Sequence, residues 1–397
     1  MTCRRLLASA TAAAAVCLAG PATAAATTCA APTGGAEFQR VAPEQVGLDG
    51  AKLRNATRFM ASRRALSVRV YRRGCLVSRS QLDPYTEGVR NNVWSVTKGV
   101  TALLTGRAIT QGKLALDDPI GRFLPEADAA HGAITVRQLL TQTSGLRFSW
   151  SSDVLARDAV DYTLALPFRH EPGTYFEYAQ TTVTLLGAVV QRAVGQDLQT
   201  YAHRELFAPL GIPRHHWNWT RDETGQTQAY AFLFMPPKHL GRIGQLLLSE
   251  GRWGAQQLID PTYMRELAAP TPTNGGYGFL TWTNAGGWLI TATAPDRRRI
   301  DAPFIPTAPP DAHAFVGFLG QLVLVIPSLD MVIVRTGLPP SSGQTSDIDY
   351  EGIRRVLQAV TDVEVPDPGP YVPVRGSGSF SLASWLDLET LQLAVRR

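Results

Sequence analysis

The hydrophobic period of this chain changes twice, and the order of the changes limits the folds open to it. Leu66 to Ser80 alternates apolar and polar residues around Arg73-Gly74, the pattern of two strands joined by a tight turn. From Ser95 to Thr110 the period becomes helical, with Val96, Val100, Leu103, Leu104 and Ala108 recurring on one face. The reading stays mostly helical through 136–142, 182–194, 198–207 and 237–249, with Pro167, Pro172 and Pro213 punctuating the loops. Beyond about residue 275, strand-like segments return at 277–282, 287–294, 315–318, 322–326 and 331–336, and a helix is expected over 350–360. Strands that flank a helical block predict an α/β (α+β) fold. One antiparallel sheet is built from both ends of the chain and flanked by helices, and an all-helical lobe (about residues 100–270) is inserted into it. A cleft between the lobes is the expected place for a small-molecule site. No internal repeat is seen, and residues 363–397 read as a weakly patterned C-terminal appendage.

Composition excludes several classes. The chain has 397 residues, of which 18% are charged and 45% hydrophobic, with a net charge of +5. That is too apolar for a disordered chain. No basic run exceeds Arg297-Arg298-Arg299, so a nucleic-acid partner is not expected. Arg4 and Arg5 precede an apolar stretch from Leu6 to Gly20 and then Ala22-Thr23-Ala24, the pattern of a secretory signal peptide over residues 1–24. An exported protein, periplasmic or extracellular, with no integral membrane segment after processing is the expectation. Removal of 1–24 takes Cys3 and Cys17 with it and leaves Cys29 and Cys75 in a compartment where disulfides persist. The two are expected to pair; the alternative is a free buried Cys75. No Cys/His cluster suggests a metal, no cofactor is expected, and His215-His216 reads as a surface or loop pair.

The stretch Trp94-Ser95-Val96-Thr97-Lys98 opens the first predicted helix. Residues three apart on a helix face the same way, so Ser95 and Lys98 are neighbours. A serine hydroxyl becomes a nucleophile when a nearby amine, its pKa depressed by burial, takes its proton. The helix N-terminus favours the developing negative charge. Ser-x-x-Lys by itself is weak evidence, since a capping serine followed by a solvated lysine would look the same. Two further segments support it. Pro172 to Gln180 presents Tyr178 and an amide just before a helix, and Ala314 to Gln321 carries glycines within a strand-like run, where backbone or ligand approaches closely.

With these residues in hand, the sequence resembles the serine β-lactamase and penicillin-binding protein superfamily, in its class C and esterase branch. Ser95-Val96-Thr97-Lys98 is similar to that family's nucleophile motif. Tyr178-Ala179-Gln180 stands where the family has Tyr-x-Asn or Tyr-x-Ser, with Leu185-Leu186-Gly187 at the usual distance. Leu139 to Leu146 resembles Leu-Leu-Thr-His-Thr-Ser-Gly-Leu, and Gly112-Lys113-Leu114, Leu116-Asp117-Asp118-Pro119 and Leu124-Pro125-Glu126 match the family's phrasing. The resemblance covers roughly residues 40–362 and implies one hydrolase domain over 25–362.

Departures shape what the resemblance implies. The third motif becomes Phe315-Val316-Gly317, and phenylalanine cannot supply the cation that grips a β-lactam carboxylate. The following residues are closest to the branch holding 6-aminohexanoate-dimer hydrolases and esterases. Gln180 is one methylene longer than the family's amide, and Gln142 replaces a histidine outside the catalytic set. The resemblance implies acyl transfer to small esters or amides. Ser95 is the nucleophile, Lys98 the base, Tyr178 a phenolate or proton shuttle, and the backbone N–H groups of Ser95 and Phe318 form the oxyanion hole. Gly317 and Gln180 are expected at the substrate. Trp94 either walls the pocket or packs, Gln321 either lines it or bonds backbone, and Tyr175 competes with Tyr178. A β-lactamase or D-alanyl-D-alanine carboxypeptidase, and a catalytically silent binding domain, are the alternatives.

Overall fold

A computed structural model of the chain describes residues 26–292, 297–338, 347–371 and 387–396. The expected signal segment at 1–24 lies outside the described residues. In chain order, the elements that position the site begin with α1 (Gly50–Ser62), β1 (Ala65–Arg72) and β2 (Cys75–Arg79). The helices α2 (Val96–Thr110), α3 (Val136–Leu140), α4 (Trp150–Leu155), α5 (Gln180–Val194) and α6 (Pro237–Leu248) follow. The chain then forms β3 (Trp282–Thr283), β4 (His313–Gly317), β5 (Gln321–Ile326), β6 (Met331–Gly337), α7 (Ile353–Leu357) and α8 (Leu388–Arg396).

The central sheet is antiparallel with strand order β2-β1-β6-β5-β4-β3. Its closure joins the two ends of the chain. β1 pairs with β6 from Ala65↔Gly337 to Arg72↔Met331, so residues some 260 apart in sequence become neighbours. The β1–β2 turn carries Arg73 at φ 51° and Gly74 at φ 74°. Two positive φ values match the twist of a two-residue hairpin.

Alternation along the strands divides the core in two. Leu322, Leu324, Ile326, Met331 and Ile333 face α1 and α7, packing on Leu53, Ala56, Met60, Ile353 and Val356. Val323, Val325, Val332 and Val334 face the other way, into the larger core with Val100, Leu103 and Leu240. Strands buried on both faces carry near-continuous apolar runs. The buried charges among them are paired: Arg69 meets Asp83 at 2.8 Å with both side chains buried.

Several sequence expectations are corrected. The inserted block is not all helical, since short strands Asn218–Trp219 and Leu233–Met235 form a small sheet with Asn91–Asn92. α6 belongs to the sheet layer, with Gly241 against the Tyr71 ring and Gly244 against Val332. Of 277–282 only Trp282 joins the main sheet; Leu280, at φ 50°, turns the chain and donates its N–H to the Leu140 carbonyl. The described part of the 287–294 segment, 287–292, supplies only Leu289–Ile290, in a separate ribbon with Arg299–Ile300, and 293–294 lie outside the described residues. α1 was not anticipated, although Asp49 caps it by accepting from the Ala51 and Lys52 N–H groups, a readable signal. The segment beyond 363 also holds α8, which docks onto the helical block. His215 is exposed in a single 3-10 turn, Arg214–His216, but His216 bonds His239 at 2.9 Å. Among the described residues no helix is long and apolar enough to cross a membrane. The structure joins Cys29 to Cys75 in a disulfide, bringing the N-terminal arm beside the β1–β2 turn, where Cys29 N–H donates to the Arg73 carbonyl.

Candidate active site

Ser95 sits at the first turn of α2, at the edge of the central sheet. The residue before it, Trp94, is held at φ 50°, a conformation rarely adopted by a bulky side chain. Its N–H donates to Asn92 Oδ1 at 2.8 Å, which helps to hold the bend. Strained backbone of this kind persists where surrounding structure over-determines it. Lys98 follows one turn later and is 1% exposed. Its Nζ stands 3.1 Å from Ser95 Oγ, donates to the Tyr230 carbonyl at 3.0 Å, and donates to Gln180 Oε1 in a short bond. The longer side chain of Gln180 therefore reaches Lys98 from the first position of α5.

Tyr178 lies two residues before α5, buried, with its ring 4.9 Å from Lys98 Nζ. Burial pushes its hydroxyl up to about 12, and a hydrogen bond with Ser95 opposes that rise. Both Lys98 and Tyr178 thus converge on the Ser95 hydroxyl. Gln142, at φ 60° and fully buried, ties this strand of chain down: its Oε1 accepts the Ala179 N–H at 3.0 Å and its carbonyl the Glu177 N–H at 2.9 Å. Tyr175 is turned away, stacked on His170 at 3.8 Å with Arg297 over its ring.

The third segment approaches from β4. A Cβ on Gly317 would lie 2.4 Å from the Val93 carbonyl oxygen, so only glycine allows the end of β4 to pass this close to the chain entering Ser95. That approach brings the chain entering Phe318 beside the segment that leads into Ser95. The Phe318 ring is 65% exposed and meets Trp94 edge-on at 5.6 Å, while Trp94 also contacts Phe232 at 5.8 Å. Trp94 therefore belongs to an aromatic wall. Gln321 does not line the pocket, correcting that expectation. It is 2% exposed, its Nε2 donates to the Gly337 and Phe318 carbonyls, and its Oε1 accepts the Gly337 N–H. An amide buried in a strand is driven to satisfy the backbone, since leaving it unpaired costs about 1–3 kcal/mol. Phe315, buried, packs its ring on Gly99 of α2.

Sequence reading missed three contributors. Arg335 is fully buried and donates to the Leu319 and Gly320 carbonyls at 3.2 and 2.7 Å, bracing the turn that follows Phe318. Its charge inside the apolar run Met331–Gly337 was a visible signal, because buried arginines need partners. Tyr230 contributes only a carbonyl, which no motif encodes. Tyr178 is walled by Trp282 at 5.9 Å, Tyr277 at 6.1 Å and Trp150 at 6.3 Å, the first two from the segment entering β3 and the third from the start of α4. Among the described residues no group of three or more His, Cys, Asp or Glu could hold a metal.

Comparison with known proteins gives the family and the fold. The β-lactamase family model matches residues 53–341. Esterase EstB of Burkholderia gladioli is 34% identical over 241 residues, which is 53% of this chain and 59% of EstB. Protein flp of Staphylococcus aureus is 29% identical over 33% of this chain and 28% of its own length. The matched region thus spans less than two thirds of these curated relatives. Among solved structures, a β-lactamase/D-alanine carboxypeptidase from Pseudomonas syringae superposes with TM-score 0.60 at 18% identity, over 78% of this chain and 98% of that one. A proposed 6-aminohexanoate-dimer hydrolase from Bacillus anthracis gives 0.61 at 18% identity, over 81% of this chain and 87% of that one. With the family model matching most of its length and the same fold in both structures, this chain belongs to the β-lactamase family.

Proposed function

We propose that the protein is an exported serine hydrolase that cleaves small uncharged esters or amides through an acyl-enzyme on Ser95. The observation that carries the reading is the buried Lys98 Nζ at 3.1 Å from Ser95 Oγ, with the Tyr178 hydroxyl bonded to the same oxygen. In the proposed reaction Ser95 Oγ attacks the substrate carbonyl carbon as its proton passes to the unprotonated Lys98 amine. The tetrahedral oxyanion accepts from the Ser95 and Phe318 N–H groups; loss of such a donor typically costs about 3–4 kcal/mol of transition-state stabilisation. Tyr178 then gives its phenolic proton to the departing oxygen or nitrogen and regains one from the Lys98 ammonium. In the second half water delivers a proton through Tyr178 to Lys98, attacks the acyl carbon, and Ser95 recovers its hydrogen.

An uncharged substrate is favoured because Phe315 is buried against Gly99, which leaves the third motif no cation for a carboxylate. The name of the relative EstB supports an ester, and the Cys29–Cys75 bridge supports an oxidising compartment. The test is labelling by a fluorophosphonate probe together with turnover of a panel of p-nitrophenyl esters, short linear amides and nitrocefin. Wild type is expected to label and to cleave esters, and Ser95→Ala to do neither. Equal, poor labelling of both proteins would sink the hydrolase reading, and nitrocefin turnover matching ester turnover would move the substrate class to β-lactams.

A further inference from the structure

We infer that the C-terminal helix α8 is a working part of the substrate pocket: by holding α4 and its Trp150 ring against Tyr178, it sets which acyl groups fit beside Ser95. The inference deepens the acyl-enzyme reading above and rests on it. α8 (Leu388–Arg396) lies beyond residues 53–341, the region matched by the family model.

The contact is built from specific pairs. Arg147 Nε donates to Asp387 Oδ2 at 2.8 Å, and its Nη1 makes a short bond to Glu389. Ser152 Oγ and Thr390 Oγ1 lie 2.9 Å apart, with the two residues 0% and 1% exposed. One turn further along α8, Ala394 is fully buried against Ala156, Tyr162 and Leu166. Thr390 and Ala394 are four apart and so define one inward face. The opposite face leaves Leu388 and Val395 exposed. A helix laid at random on a surface would not bury a paired threonine hydroxyl on its inner side, because an unmatched one is costly.

α4 has six residues. A helix this short is unstable alone, so its position depends on what packs behind it. On its inner side Trp150 stands 5.2 Å from the Phe148 ring and 6.3 Å from that of Tyr178. The path from the C-terminus to the proposed acid therefore runs from α8 to Arg147 and Ser152, along the short stretch of chain between them that carries Trp150, and from Trp150 to Tyr178. No residue of α8 is placed in the chemistry, so acylation of Ser95 is expected to survive its loss, whereas the fit of bulky acyl groups is not.

The experiment compares the full chain with one ending before Asp387, and with Arg147→Glu in the full chain. Each is assayed on p-nitrophenyl acetate and p-nitrophenyl phenylacetate and titrated with a fluorophosphonate. The expected result is an unchanged labelling stoichiometry and a shift of at least about tenfold in the ratio of kcat/KM for the two esters, carried mainly by KM, the size set by a misfitted group in an apolar pocket. Arg147→Glu should reproduce the shift, and adding Asp387→Arg with Glu389→Arg should reverse it. A ratio within about twofold of wild type in both variants, with labelling retained, overturns the inference and leaves the hydrolase reading intact. So does truncation that abolishes labelling while Arg147→Glu leaves the ratio unchanged, because α8 would then serve only stability. Failure of the full-length wild type to label would instead remove the hydrolase reading.

Discussion

Burial decides which form of Tyr178 the free protein carries. Its hydroxyl is pushed up to about 12, above the ordinary tyrosine value of 10.0, so it is a neutral phenol through the near-neutral range. A shuttle that begins by donating fits that state, and a resting phenolate does not. The kcat/KM profile reports the free enzyme. Tyr178→Phe is therefore expected to lower ester kcat/KM by at least about 100-fold while leaving the profile's shape between roughly pH 6 and 9 unchanged. A wild-type limb in that range that disappears in Tyr178→Phe would restore the phenolate. The same shift bears on stability only at high pH. Above about pH 10 the unfolded chain releases this proton before the native protein does, so stability falls as pH rises there. At this scale the sequence was informative where residue type and spacing mark a residue, as for Ser95, Lys98 and Tyr178, which the structure brings together. It was mute where the group is a backbone carbonyl, as at Tyr230, or where a side chain's target is decided by its neighbours. Gln321 and Gln142 are both amides, yet one clamps two strands and the other tethers the segment bearing Tyr178.

Elements meet at the site because α2 lies close on β4. A Cβ on Gly99 would stand 2.3 Å from the Phe315 ring, so the helix can approach this strand only at a residue without a side chain. Gly99→Ala gains helix propensity of up to about 1 kcal/mol. Overpacking of a dense core typically costs about 1–3 kcal/mol, which wins. A lower urea midpoint is expected, together with reduced ester turnover, since β4 carries Gly317 and the backbone of Phe318. Pairing Gly99→Ala with Phe315→Leu should recover part of the loss, and an unchanged midpoint in the single variant would show that the contact is looser than this geometry. Long periodic elements such as the β1–β2 hairpin and α2 were legible because their pattern and turn chemistry agree. The 277–282 segment misled because alternating aromatic residues look the same in a strand and in a chain folding around a pocket.

The whole molecule is closed by pairings between its ends. β1 joins β6, Arg72 binds Asp362 at 2.7 Å, and Cys29 is bonded to Cys75 across a separation of 46 residues. Removing a disulfide that closes a loop of this size costs about 2–4 kcal/mol, mainly by freeing the unfolded chain. Cys29→Ser with Cys75→Ser is expected to unfold at lower urea than wild type, and reductant should bring wild type to the same midpoint; equal midpoints with and without reductant would exclude a stabilising bridge. By itself the sequence determined the class of the fold and singled out Ser95, Lys98 and Tyr178, which the structure brings together, because periodicity and short motifs are local and survive being read in one dimension. Only the tertiary structure decided that Gln180 reaches Lys98, that Gln321 and Arg335 brace the turn after Phe318 rather than touch a ligand, and that the last helix returns to stand behind Trp150. Those roles depend on which residues distant along the chain are pressed together when both faces of the sheet are buried, and local patterning carries no record of that.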